Sequence, residues 1–168
     1  MAFAQTGHGG KPWTWALGAK GGAFLGGEVY IEPAHVDAET GPMLGVFADS
    51  IVVPGFSIGA FTNFANTGVG PASASIFNLG VSMKARFQAG DLSLRPGLTF
   101  GYQQITGDFE TITGFDPGLV FELGVPVSAT TGVLFDVGFF SQPVGGNELA
   151  SVTFGPKFYL AAGIEFGG

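Results

Sequence analysis

The stretch Val152 to Phe166, V-T-F-G-P-K-F-Y-L-A-A-G-I-E-F, carries the reading of the whole chain. Its even positions (Val152, Phe154, Pro156, Phe158, Leu160, Ala162, Ile164, Phe166) are all apolar. Its odd positions (Thr153, Gly155, Lys157, Tyr159, Ala161, Gly163, Glu165) are small, polar or charged. Side chains alternate faces along a strand, so the stretch predicts a ribbon with one greasy face and one polar face. At 15 residues it is long, because strands of soluble domains run to about five or six.

The same alternation recurs along the chain. It starts at Pro12, with Trp13, Trp15, Leu17 and Ala19 on one parity and Lys20 on the other, and it continues less cleanly to Val29 and Ile31. Further strands are predicted over Met43–Val53, Phe56–Phe64, Phe77–Gln88, Leu92–Gln103, Leu119–Val127 and Val133–Phe140, so that the closing stretch makes eight. Tight turns are expected near residues 54, 90 and 130, and longer loops near 37, 69, 110 and 145. The loop assignments include Glu32–Pro42, Ala65–Ser73 and Thr106–Phe115. Pro96, Pro126 and Pro156 fall inside proposed strands and each removes a ladder donor; a bulge at Pro96 is the expected accommodation.

Composition narrows the class. Charged residues make up only 11% of the 168 and mean hydropathy is +0.40, whereas a soluble domain carries about 25% charge. No apolar run approaches the roughly 20 residues of a membrane helix. The apolar residues are dispersed instead, and 30 glycines with 18 phenylalanines disfavour helix and suit strands. The net charge of −7 argues against nucleic acid as a partner. The absence of cysteine removes disulfides, thiol nucleophiles and thiolate metal sites. Residues 1–11 read as a flexible leader, and Ala2-Phe3-Ala4 before Gln5 has the small-x-small look of a signal-cleavage remnant. Residues 12–168 are expected to form a single barrel domain.

Charge placement indicates which face meets water. Lys20, Lys84, Arg86, Arg95 and Lys157 lie on polar strand faces, together with Asp49, Glu122, Asp136 and Glu165. A near-balanced set among glycines and small residues suits an enclosed lumen, where unpaired charge is costly. The opposite faces carry Phe77, Leu79, Phe87, Leu98, Phe100, Phe121, Phe135, Phe139, Phe158, Leu160 and Phe166. Such bulk would overfill a small barrel, but facing lipid it needs no volume match. Closure then gives every strand a hydrogen-bonding partner.

On this pattern the chain, over residues 12 to 166, resembles the small eight-stranded outer-membrane β-barrels of Gram-negative bacteria, of the OmpA, OmpX and OmpW kind. The resemblance implies an all-β, antiparallel up-and-down transmembrane barrel with short periplasmic turns, longer extracellular loops and two aromatic girdles. Trp13, Trp15, Phe56, Phe87 and Phe166 would form the turn-side girdle, and Phe64, Phe77, Tyr102 and Phe154 the loop-side one. It also implies export behind a signal peptide absent from this chain, contact with outer-membrane lipids and lipopolysaccharide, handling by the barrel-insertion machinery, and a monomer. The family ends its last strand on an aromatic residue; here Gly167 and Gly168 follow Phe166.

Little in the sequence points to chemistry. The two histidines are His8 in the leader and His35 in the first loop. A hydrolase of the Ser-His-acid type needs its histidine beside a serine and an acid, and His35 with Asp37 or Glu39 matches by residue type alone. No cofactor, metal site or enzymatic role is expected. Eight acids are assigned to the loop side: Glu28, Glu32, Asp37, Glu39, Asp108, Glu110, Asp116 and Glu148. They could hold divalent cations or simply keep loops solvated. The lumen set admits a plug of paired charges or a narrow water-lined pore, and the OmpW kind adds a hydrophobic-solute channel as a further alternative. A soluble lipocalin-like barrel with the Phe-rich faces inside is another.

Overall fold

The computed structural model describes residues 13–31, 34–107, 111–141 and 152–168. They form strands β1 (Trp15–Phe24), β2 (Gly27–Ile31), β3 (Ala34–Ala38), β4 (Gly41–Val53), β5 (Phe56–Val69), β6 (Ala72–Ala85), β7 (Phe87–Ala89), β8 (Leu92–Gly107), β9 (Ile112–Pro126), β10 (Thr131–Phe140), β11 (Val152–Phe154) and β12 (Lys157–Gly167). The ladder β1-β4-β5-β6-β8-β9-β10-β12 is antiparallel throughout, and β12 pairs back onto β1 from Ala16↔Gly167 to Phe24↔Tyr159. Eight staves therefore close on themselves and leave no free edge along the wall.

The closing stretch divides in two. Gly155 and Pro156 interrupt it, since proline at 156 has no N–H for the ladder. Below the break Phe158, Leu160, Ile164 and Phe166 are about half exposed on the outer wall, while Lys157, Tyr159 and Glu165 are buried. The first stave breaks likewise at Leu25–Gly26, where Gly26 takes a φ of 76° that other residues resist.

Pro96 is accommodated without the expected bulge. The register is the same on either side of it, Lys84↔Gly97 and Phe87↔Leu94. The β9 ladder runs unbroken through Pro96↔Phe121. The missing donor faces the other neighbour, where the fourth stave parts into β6 and β7. The wall's true register shift lies between Ile51 and Val53.

Three loop assignments are corrected. Ala65–Ser73 is a continuation of β5 and β6 around a tight turn at Gly70, φ 60°. Within Thr106–Phe115, β8 runs to Gly107 and β9 begins at Ile112. Within Glu32–Pro42, β3 pairs back onto β2 as a hairpin and β4 begins at Gly41. The first two corrections share a cause. Towards the loop end the polarity of the staves inverts: Ala65, Val69, Ala74, Ile76, Ile105 and Ile112 turn inward and are buried, while Asn66, Ser75 and Thr106 turn outward. A search for one constant apolar face stops where the faces exchange roles.

The eleven residues expected on the outer wall all lie there; Phe100 and Phe139 are half-buried because they pack on Phe115 and Phe158, with ring centroids 6.3 and 5.2 Å apart. The radial direction of Phe121, Phe135 and Phe158 is outward, which removes the lipocalin-like arrangement. Trp13 departs from the girdle assignment. It is 3% exposed, donates from Nε1 to the Ala129 carbonyl at 2.8 Å, and lies against Gly167, where any side chain would collide with the indole. Gly168 continues the pairing, its carbonyl accepting from Thr14 N at 2.7 Å.

Candidate functional site

The interior of the barrel is the candidate site, and its floor is Trp13. Above it lies Arg95, fully buried on β8. Its Nη1 and Nη2 each donate to one oxygen of Glu165 on β12, both at 2.6 Å, and its Nε donates to Ser93 Oγ at 3.0 Å. This bidentate fork is the strongest geometry available to a guanidinium and a carboxylate. Gly124 and Gly132 make room for it, since a Cβ at either would press on Arg95 or Glu165. Arg95 also faces Glu122, at 3.7 Å.

Lys84 on β6 joins that tier to the next, reaching Asp49 at 2.9 Å and Glu122 at 2.6 Å. Lys20 on β1 pairs with Asp136 on β10, and the Tyr159 hydroxyl donates to the same carboxylate at 3.2 Å. Lys20 sits 4.9 Å from the Tyr159 ring centroid and Lys84 5.1 Å from that of Phe47, contacts in cation–π range. Arg86, also buried, lies within electrostatic reach of Asp49, Glu122 and Glu165.

The nine charged residues expected to line the lumen are all buried there. Eight of them belong to this turn-side network. Lys157, expected in it, stands apart: its Nζ donates to the Ser141 carbonyl at 3.0 Å and lies within electrostatic reach of Asp116.

Asp116 is the second correction. Assigned to a loop, it is 1% exposed inside the barrel. It accepts hydrogen bonds from Asn78, from Gln103 Nε2 at 2.9 Å and from Ser141 N at 3.0 Å. Its parity with Val120 and Glu122 was the available signal, and it went unused because the strand was expected to begin only at Leu119, whereas β9 starts at Ile112. With Asp116 included, the buried charges among the described residues number five cations and five anions.

Between the two polar tiers remains a cavity of about 10 Å³, enough for about one water molecule. Its lining includes Asn63, Ser82, Thr99 and Glu122. On the loop side of the Asp116 tier the interior turns apolar, with Phe24, Val29, Met43, Ala65, Val69, Ile76, Ile105 and Ile112 packed as one cluster. Sequence reasoning missed this inner cap because it counted Ala65, Val69 and Ile112 as loop and left Ile76 and Ile105 outside the proposed strands.

The acids outside the lumen are only partly described. Glu28 and Asp37 oppose each other across β2–β3, and Glu39 is exposed beside them. Glu32, Asp108, Glu110, Glu148, His8 and the leader 1–11 lie outside the described residues. His35 is opposite Tyr30 in the β2–β3 ladder. Among the described residues no three or more acidic or histidine side chains group as metal ligands.

Comparison with solved structures places this geometry. The barrel superposes on Neisserial surface protein A with a TM-score of 0.71 at 10% identity, over 90% of this chain and 95% of that one. It is similar to OprG from Pseudomonas aeruginosa, TM-score 0.62 at 10% identity over 98% and 99%. It is also similar to a major outer membrane protein from Thermus thermophilus, TM-score 0.61 at 12% identity over 92% and 98%. The chain has the fold of the small outer-membrane β-barrels. No family model and no curated protein sequence matches it.

Proposed function

We propose that the protein is an integral barrel of the Gram-negative outer membrane, non-enzymatic, that anchors in the lipid and presents its loop-side hairpins outside. The observation that carries the reading is the pairing of an apolar outer wall with an interior whose charges, among the described residues, are balanced and mostly joined in ion pairs. Phe115, Leu119 and Phe121 are each about half exposed on β9, with Leu123 and Val125 below them. At about 3.3 Å per residue and a barrel tilt of about 40°, the rise from Phe115 to Val125 is about 25 Å, the height of the apolar band of such barrels. Outer-membrane lipids, lipopolysaccharide among them, would be the partners of this wall, and the barrel-insertion machinery would deliver it.

In this reading the lumen is a plug. The space between the two polar tiers holds about one water molecule, too little for a water column at that level. Planar-bilayer recordings test it: no steady single-channel conductance is expected. Steady conductance that disappears on charge reversal at Arg86 or Glu122 would sink the plug. The apolar cap favours a second reading, a conduit for hydrophobic solutes entering from the loop side. That reading requires uptake or binding of an apolar solute that is lost when Ile105 is replaced by Arg.

A further inference from the structure

Outside the lumen the described barrel carries no lysine or arginine, because all five described cations are buried within it. Among the described residues of the loop-side exterior, the side chains that can be placed are acids and uncharged groups. On β5, β6, β8 and β9 the uncharged groups form a ledge. Asn66 is opposite Ser75, Ser75 is opposite Thr106, and Gln104 is opposite Thr113 in the ladders. Ser75 Oγ donates to Asn66 Oδ1 at 2.7 Å, Gln104 Nε2 donates to Thr106 Oγ1 at 3.3 Å, and the Thr106 and Thr111 hydroxyls lie 3.4 Å apart. Directly below, towards the apolar wall, stand Phe64, Phe77, Tyr102 and Phe115, all exposed. Neighbouring staves are about 4.8 Å apart, so the four-stave row spans about 14 Å.

From this juxtaposition we propose that the ledge takes the uncharged sugar headgroup of a membrane glycolipid, and that the protein does not hold lipid phosphates there. The inference rests on the membrane reading above. Hydroxyl and amide side chains both donate and accept, as sugar hydroxyls do, and the aromatic row gives the glycan and upper acyl segment an amphipathic floor at the interface. Phosphate recognition needs a cation or an array of donors, and the acids at Glu28, Asp37 and Glu39 on the same end repel anions.

The test reconstitutes the full chain into nanodiscs holding equal amounts of a neutral dihexosyl glycolipid, phosphatidylcholine and phosphatidylglycerol. Lipid retained on the protein is then read by native mass spectrometry after release into mild detergent. Glycolipid should be retained about five- to tenfold over phosphatidylglycerol, equally with and without EDTA. The combined change Asn66→Ala, Ser75→Ala, Thr106→Val and Thr111→Val should bring that ratio to about one, with the heat-dependent gel shift of a folded barrel intact. A second variant, Ser75→Lys with Thr106→Lys, should reverse the preference towards phosphatidylglycerol and guards against a folding defect in the first. Preferential retention of phosphatidylglycerol by the unaltered chain, sensitivity to EDTA, or a glycolipid preference that survives both variants overturns the proposal. A chain that stays in solution and enters no disc overturns the membrane reading together with it.

Discussion

Arg95 and Glu165 show how a charge survives in this interior. Each is fully buried, and each would be expensive alone, yet the fork between them satisfies both with two short bonds. Replacing Arg95 with Met leaves Glu165 buried without its partner and should cost about 3–5 kcal/mol. Replacing both, Arg95→Met with Glu165→Leu, should recover most of that loss, since an apolar pair of similar volume avoids desolvation altogether. Urea unfolding from lipid vesicles measures both; a double variant as unstable as the single would mean that the fork is not the coupling element. That these two residues share an interior was legible from parity. That they share a bond was not, because β8 and β12 lie 70 positions apart and are separated in the wall by β9 and β10.

The staves change character along their length, and this is the physics that the elements record. In β6 the inward residues run Lys84, Ser82, Asn78, then Ile76 and Ala74, while the outward ones run Met83, Val81, Leu79, Phe77, then Ser75 and Ser73. One strand thus serves two solvents. Where the surroundings are apolar its polar groups turn in, and where they are water its apolar groups do. Ile76→Asp places a charge in the inner apolar cap and should open the β5–β6 hairpin locally, lowering the cost of opening by about 2 kcal/mol. Amides of Thr67, Val69 and Ala74 should then exchange about 30-fold faster, while those of Ile58 and Val81 hold their protection. Uniform acceleration along β5 and β6 would show instead that the loop-side ends do not form a separable unit. The inversion also explains the missed strand ends: alternation persisted through Ala65–Val69, but the identity of the greasy face did not.

Seen whole, the molecule is an apolar sleeve around a polar column with an apolar lid. The proposed membrane embedding makes a depth-dependent expectation. Phe121→Arg, at the middle of the outer wall, should destabilise by about 2–4 kcal/mol, and Val127→Arg, beyond its turn-side end, by about 0–1 kcal/mol. Equal costs at the two depths, measured by reversible unfolding from bilayers, would argue that the wall does not lie in hydrocarbon. A soluble barrel would be indifferent to depth, having none.

Local patterning was enough for the class, the count of staves and the radial sense of the side chains along the turn-side part of the wall, because a period of two is a local property and a barrel leaves only inside and outside to choose between. It was enough, too, to put the charges inside, since so few were available and all but one of the cations shared the polar parity. Which charges meet is a matter of closure. Strand tilt and stagger set the levels at which distant staves present their residues, and no local pattern encodes them. So Val152 to Phe166 announced a ribbon, but only closure onto β1 and β10 set Glu165 against Arg95 and kept Lys157 apart, near Asp116, at the other end of the column.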